Sequence, residues 1–220
     1  MPDVHRGIIS DWGGVLTGPL PETIDAWLAA DRIDREHYAA VMAEWFAGIG
    51  DTRGPGNAIH ALERGEVSVP EFERALAAEL RLVDGGPVPA EGLIERMFSA
   101  FHPVDEMYQV LGEARRQGVR TTLLSNSWGN GYPRARLAEV FDALVISGEV
   151  GMRKPEPGIF RHALEVTGLP PEQCVFIDDL EHNVRAAAEL GMTGILHRTP
   201  EETRERLAEA CGLRLDPAPS

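Results

Sequence analysis

The sequence contains only two cysteines, Cys174 and Cys211, among its 220 residues. Two cysteines provide neither a disulfide framework nor a zinc-binding spacing, which excludes a disulfide-stapled secreted scaffold. There is also no run of about 18 apolar residues, and the amino terminus lacks a charged segment followed by a long apolar one. We therefore expect a cytoplasmic protein with no signal peptide and no membrane-spanning helix.

Positive charge is scarce as well. The chain has 21 lysines and arginines against 35 aspartates and glutamates, for a formal net charge of −14. Nucleic-acid backbones require a basic face, so nucleic acid is not an expected partner. An anionic substrate would need a local positive pocket. With 43% hydrophobic residues, the chain can bury one core, or a core and a small subdomain.

Five short segments rich in valine, isoleucine and leucine are typical of buried parallel strands. They are residues 7–10, 119–124, 143–146, 174–177 and 194–196. Helical spacing of apolar residues predicts helices between and after them, over residues 105–117, 134–139, 157–166 and 182–190. This alternation predicts an α/β fold with a doubly wound, Rossmann-like parallel sheet.

The segment after the first strand differs, because it has amphipathic patterns and no convincing strand. The patterns cover residues 21–30, 34–47, 55–63, 69–81 and 90–100, with glycine-containing breaks at 48–50 and 85–87. We predict a core of residues 1–18 and 103–220 with a helical insert, a cap domain, over 19–102. Its aromatic residues are interpreted as helical core, with the lining of a substrate pocket as the alternative; they are Trp27, Tyr38, Trp45 and Phe46.

Asp11 closes the apolar run 7–10 and is followed by Trp12, Gly13 and Gly14. The carboxyl ends of the strands in a parallel sheet form the ligand crevice, so an acid there is a candidate nucleophile or metal ligand. The alternative is an aspartate that merely caps a turn. Backbone N–H groups around Trp12 and Gly13 could cradle a phosphate, as turns and helix starts do for anions.

Two further segments offer groups that can hold an anion. Ser125 and Asn126 follow the predicted strand 119–124, and the serine hydroxyl can donate a hydrogen bond to a phosphate oxygen. Lys154 precedes the proline-defined helix start of 157–166. Taken alone, a serine and an asparagine after a strand are typical of a turn, and a lone lysine is typical of a solvated surface.

Adjacent acids, Asp178 and Asp179, follow the predicted strand 174–177. Neighbouring carboxylates repel each other unless a cation neutralises them. Mg²⁺ is a hard cation that prefers carboxylates, carbonyl oxygens and water to imidazole, so His182 is not expected as a ligand.

These four segments, in this order, resemble the motifs of the haloacid dehalogenase-like hydrolase superfamily. The resemblance covers essentially the whole chain and includes the helical cap inserted after the first motif. It implies that Asp11 is a nucleophile that takes up a phosphoryl group as an aspartyl phosphate, and that Lys154 holds this group. The implied phosphate-binding residues are Trp12, Gly13, Ser125, Asn126 and Lys154. A small phosphorylated metabolite is the implied substrate, and we expect a monomer or a homodimer.

The resemblance also implies a Mg²⁺ cofactor. Asp11, Asp178 and the main-chain carbonyl of Gly13 would coordinate it, with Asp179 in the first or second coordination shell. Asn183 stands where relatives often have an aspartate.

One departure from the family pattern affects the expected chemistry. Most phosphatases of this family carry a general acid two residues after the nucleophile, where this chain has Gly13. General acid–base help is worth roughly 10²–10⁴-fold. Three hypotheses follow. In the first, the protein is a phosphatase in which water, or a cap acid such as Asp51 or Glu44, protonates the leaving group. In the second it is a 2-haloacid dehalogenase, which needs neither this proton nor a metal, and in the third it is a weakly active binding protein. The paired acids at 178 and 179 weigh against the second, and we favour the first.

Two tryptophans adjoin the motifs. We expect Trp12 and Trp128 at the mouth of the pocket, and we expect the loop 126–133 to face the insert because it is rich in glycine and asparagine.

Overall fold

The computed structural model describes residues 4–47, 58–129 and 131–215. Its centre is a five-stranded parallel sheet in the order β3-β2-β1-β4-β5. The strands are β1 (Gly7–Ser10), β2 (Arg120–Ser125), β3 (Ala143–Ile146), β4 (Cys174–Asp178) and β5 (Thr193–Leu196). The predicted doubly wound α/β fold is confirmed, and each predicted strand lies within one residue of the observed one at both ends.

Both faces of the sheet are covered, which explains why its strands read as continuous apolar runs rather than as alternating patterns. In β1, Ile8 packs into an apolar cluster on one face with Met107 and Leu111. Its neighbour Ile9 packs into a second cluster on the other face with Phe160. Since β1 pairs with β2 on one side and β4 on the other, the central strand places its carboxyl end between the ends of these two.

The helices that flank the sheet agree with the predicted ones to within about one residue. They are α6 (Asp105–Arg116), α7 (Arg134–Val140), α8 (Ser147–Val150), α9 (Pro157–Thr167), α10 (Glu181–Glu189) and α11 (Pro200–Cys211). Helices α8 and α11 were not among the predicted helices. The signals for α11 were present: Thr199 accepts a hydrogen bond from the N–H of Glu202, Pro200 opens the helix, and Gly212 ends it at φ 62°.

The insert contains five helices and no strand among its described residues. They are α1 (Leu20–Ala30), α2 (Arg35–Ala47), α3 (Ala58–Glu63), α4 (Val69–Glu79) and α5 (Leu93–Ser99). Two helices are shorter than predicted: α4 ends at residue 79 rather than 81, and α5 covers residues 93–99 rather than 90–100. Residues 48–50, the first predicted break, lie outside the described residues. The division of the chain into two domains stays a prediction.

The aromatic residues of the insert form its own apolar cluster. Trp27 meets Tyr38 edge to face with ring centroids 5.8 Å apart, and Trp45 meets Phe72 in the same way at 5.8 Å. The interpretation of Trp27, Tyr38 and Trp45 as helical core is confirmed. The side chain of Phe46 lies outside the described part of the chain. No helix in the described ranges combines the length and apolar character needed to cross a bilayer.

Candidate active site

The carboxyl edge of the sheet brings together side chains that are far apart in the sequence. Asp11 directly follows β1, Ser125 ends β2 and Asp178 ends β4. Asp11 is only 8% exposed, and its Oδ1 accepts a 2.7 Å hydrogen bond from the backbone N–H of Trp12. That bond fixes the carboxylate at the point where the strand turns away from the sheet.

Lys154 reaches this edge from the loop before α9. Its Nζ lies 2.9 Å from Asp11 Oδ1 and 2.7 Å from Asp178 Oδ2, and the residue is 1% exposed. Burial acts to lower the pKa of Lys154, but the two carboxylates outweigh it and raise the pKa above its ordinary value. The lysine therefore stays charged and joins the two acids, in contrast to the solvated surface lysine that its local sequence resembles.

Three carboxylates crowd around this ammonium group. Asp11, Asp178 and Asp179 each place one oxygen within 4.8 Å of the others. Burial raises the pKa of Asp11 to about 7, with Lys154 opposing the shift and the two neighbouring acids adding to it. Burial also raises the pKa of Asp179 to about 6, and the charge of Asp178 adds to that shift. One lysine does not balance three acids, so the site favours a proton or a further cation.

The donor set fits a magnesium ion. Asp179 Oδ1 is buried and has no hydrogen-bond partner among the described residues. A buried oxygen without a partner lowers the stability of the fold unless a cation or another donor contacts it. All three side chains offer only oxygen, which Mg²⁺ prefers. Direct coordination by Asp179 and the role of the Gly13 carbonyl stay predictions.

Asn183 organises the most buried of these acids. Its Nδ2 lies 3.0 and 3.1 Å from the two oxygens of Asp178, and the N–H of Leu180 donates to Oδ1 at 2.9 Å. An aspartate at position 183 would instead set a further carboxylate against Asp178. The asparagine thus orients an acid without adding negative charge to the cluster.

Of the two glycines after the nucleophile, Gly14 is the one that the geometry requires. It has φ 71°, and a Cβ at this position would collide with the Asp179 carboxylate. Gly13 has no positive φ, and its Cβ would only touch Leu20 Cδ2 at 3.6 Å. Position 13 can therefore accept a side chain.

Ser125 has a hydrogen-bond partner, Tyr132, whose role was not predicted from the sequence. The Tyr132 hydroxyl donates to Ser125 Oγ at 2.9 Å, so the serine keeps its own hydrogen for another acceptor. Burial raises the pKa of Tyr132 to about 12, which keeps the phenol protonated as a donor. The only sequence signal for a role of Tyr132 was its position in the loop 126–133, which follows Ser125.

The remaining predicted residues take different places. Asn126 directs its side-chain amide to the backbone of Lys154. The Trp12 ring is 8% exposed and stacks on Phe101 with ring centroids 5.9 Å apart, while its backbone N–H donates to Asp11 Oδ1. Its place at the mouth of the pocket stays a prediction. Trp128 packs edge to face on Phe72 of α4 at 5.7 Å, which confirms that its loop faces the insert.

A buried ion pair joins the insert to this edge of the core. Glu63 of α3 pairs with Arg153, and each side chain is 9% exposed. Glu63 also accepts from the indole N–H of Trp128 at 3.2 Å. Arg153 directly precedes Lys154 in the chain, so the contact lies beside the acid cluster. Of the two cap acids considered as proton donors, Glu44 is exposed and Asp51 is outside the described residues.

Comparisons with known proteins identify the family to which this chain belongs. The family model of haloacid dehalogenase-like hydrolases matches residues 5–191. The chain is 28% identical over 200 residues to bifunctional epoxide hydrolase 2 of Mus musculus, in a match that covers 84% of this chain and 36% of that protein. It is 34% identical over 140 residues to a phosphoserine phosphatase of Thermus thermophilus, which covers 57% of this chain and 54% of that one.

Solved structures show the same fold. A HAD family enzyme of Bacteroides thetaiotaomicron, crystallised as a magnesium complex, superimposes with a TM-score of 0.60 at 23% identity. The match covers 89% of this chain and 94% of that one. The chain spans little more than a third of the mouse relative's length, so the activity of that whole protein does not transfer to it.

Proposed function

The chain belongs to the haloacid dehalogenase-like hydrolases, and from that premise we propose that it is a Mg²⁺-dependent phosphatase that hydrolyses a small phosphomonoester through an aspartyl phosphate on Asp11. The observation that carries the proposal is the buried array in which Lys154 joins Asp11 and Asp178 while Asp179 keeps an unpaired oxygen. Related proteins described as a phosphoserine phosphatase and a flavin mononucleotide hydrolase support it.

Each side chain of the site has its own role in the proposed reaction. Trp12 and Lys154 both donate to Oδ1 of Asp11, which leaves Oδ2 as the oxygen that we assign to the attack on phosphorus. Lys154 and the Ser125 hydroxyl hold the equatorial oxygens of the transferring group. As Asp11 attacks, the P–O bond to the leaving group breaks, and the departing alkoxide takes a proton from water. A second water then cleaves the aspartyl phosphate, which releases inorganic phosphate and regenerates the carboxylate.

The metal would be held by Asp11, Asp178, Asp179 and the carbonyl of Gly13. When bound, Mg²⁺ supplies further positive charge that stabilises the oxygens of the transferring phosphoryl group. The same acids count against the dehalogenase alternative, because displacement of a halide requires no cation and three clustered acids would only repel an anionic substrate.

The proposal is tested by the release of inorganic phosphate from para-nitrophenyl phosphate and a panel of phosphorylated metabolites, with and without Mg²⁺. Metal-dependent release supports the phosphatase, and the panel narrows its substrate. Halide release from 2-haloacids without metal would favour the dehalogenase. If neither phosphate nor halide is released and Mg²⁺ stabilises the protein against unfolding, the hypothesis of a weakly active binding protein is favoured.

We expect Gly13→Asp to increase turnover of substrates with poor leaving groups. The backbone at position 13 and the 3.6 Å distance to Leu20 Cδ2 leave room for the side chain. A general acid is worth roughly 10²–10⁴-fold, so kcat for alkyl phosphates should rise by up to about 10²-fold, while para-nitrophenyl phosphate should change little. Gly13→Asn is the matched control that cannot donate the proton. Equal rates for both variants on alkyl phosphates would show that the missing acid is not limiting.

We expect Mg²⁺ affinity to fall as the pH falls below about 7. Both Asp11, with a pKa of about 7, and Asp179, with a pKa of about 6, must lose their protons before they can bind a cation. Affinity should drop about tenfold per pH unit between pH 7 and 6, and more steeply below 6, and it should level off above 7. Calorimetry in buffers of different ionisation enthalpy would count the protons released. A pH-independent affinity with no proton release would contradict this assignment of ligands.

A further inference from the structure

We propose that Asn126 is a positioning residue that clamps the backbone of Lys154, rather than a ligand of the substrate phosphate. Asn126 Oδ1 accepts from the Lys154 N–H at 2.8 Å, and Asn126 Nδ2 donates to the Lys154 carbonyl at 3.0 Å. One planar amide thus holds both backbone groups of a residue 28 positions away. We call this pair of hydrogen bonds the amide clamp.

The local chain leaves these two backbone groups for the clamp. The N–H of Glu156 donates to the carbonyl of Arg153 at 2.9 Å and closes a turn around Lys154. This hydrogen bond uses neither the N–H nor the carbonyl of Lys154. Buried backbone groups need partners, and Asn126 supplies both.

The clamp matters because of what the Lys154 side chain does. A lysine is a point charge on a flexible four-carbon stem, so the position of its ammonium group depends on where its backbone is held. β2 ends at Ser125, and Asn126 is the next residue in the chain. The amide clamp therefore sets the Lys154 Nζ relative to the same strand end that presents the serine hydroxyl.

Lys154 is the single lysine of the chain, since the other 20 basic residues are arginines. Protein labelled with ¹⁵N-lysine should therefore give one side-chain ammonium signal in the folded state. This signal reports on the Lys154 Nζ whether or not any substrate is known. The inference concerns catalysis only if the proposed function holds, but the spectroscopic test does not depend on it.

The experiment compares wild-type protein with Asn126→Ala and with Gln117→Ala as a matched control. Gln117 forms an equivalent clamp far along the chain, donating to the Arg214 carbonyl at 2.9 Å and accepting from its N–H at 3.0 Å. We expect Asn126→Ala to shift or broaden the ammonium signal and to lower kcat roughly tenfold or more, with a smaller change in KM. Gln117→Ala should alter neither.

An unchanged ammonium signal in Asn126→Ala, with a raised KM for substrate and unchanged kcat, would overturn the clamp and make Asn126 a phosphate ligand. A changed signal in a protein that hydrolyses no phosphoester would support the clamp and count against the phosphatase. If Asn126→Ala does not fold, Asn126→Gln serves instead, because it adds no charge and keeps the amide but displaces it by one methylene from the Lys154 backbone groups. The same signal and rate decide the outcome.

Discussion

Asp11→Asn should lower kcat by about 10⁴-fold or more, because an amide cannot attack phosphorus in place of the carboxylate. The substitution is nearly isosteric, and the amide oxygen can still accept from the Trp12 N–H, which lies 2.7 Å from Oδ1 in the wild type. Lys154 keeps its contact with Asp178 at 2.7 Å. We therefore expect a folded protein without turnover, measured by phosphate release and by thermal unfolding of the same sample.

A matched control separates loss of the nucleophile from loss of any aspartate. Asp25 pairs with Arg35 at 2.7 Å on the surface of the insert, and exposed pairs of this kind contribute little to stability. Asp25→Asn should retain wild-type kcat. If Asp11→Asn also retains turnover within a few-fold of the wild type, Asp11 is not the nucleophile and the proposed mechanism fails.

The part of the site that follows strand ends was predictable from the sequence. Apolar runs located β1, β2 and β4, and parallel strands present their carboxyl ends at one edge. Asp11, Ser125 and Asp178 therefore had to lie near one another once the sheet was recognised. The hydrophobic pattern of the sequence is enough to locate these strand ends, because it is a local property of the chain.

The partners that complete the site were not predictable in the same way. The local sequence around Lys154 resembles a solvated surface segment, and its burial depends on two carboxylates 143 and 24 positions away. Tyr132 likewise acts through a hydrogen bond to Ser125, and Glu63 acts through an ion pair and a hydrogen bond from Trp128. These contacts form only after the loops and the insert pack. No periodic pattern marks such contacts, because they are properties of the tertiary structure.

The helix α11 is a different kind of omission. Its start and stop signals were in the sequence, at Thr199, Pro200 and Gly212, but within the described part of the chain no strand follows it to complete another β-α-β unit. The alternation of strands and helices therefore does not predict α11, because this helix lies outside it.

Glu63→Gln should destabilise the protein strongly, because it leaves the guanidinium of Arg153 buried without a countercharge. Both side chains are 9% exposed, and Glu63 is also fixed by the Trp128 indole at 3.2 Å. Removal of one partner from a buried ion pair typically costs about 3–5 kcal/mol. We expect the free energy of unfolding, measured by urea denaturation, to fall by about 3 kcal/mol or more.

Two further variants show whether that loss comes from the buried charge. Glu66→Gln removes an exposed partner of Arg64, 2.8 Å away, and should change stability by less than about 1 kcal/mol. Replacing both Glu63 and Arg153 by methionine removes the pair without leaving a charge, so the double variant should be more stable than Glu63→Gln. A loss below about 1 kcal/mol for Glu63→Gln would mean that water reaches Arg153, and the insert would then not be held to the edge beside Lys154 by this pair.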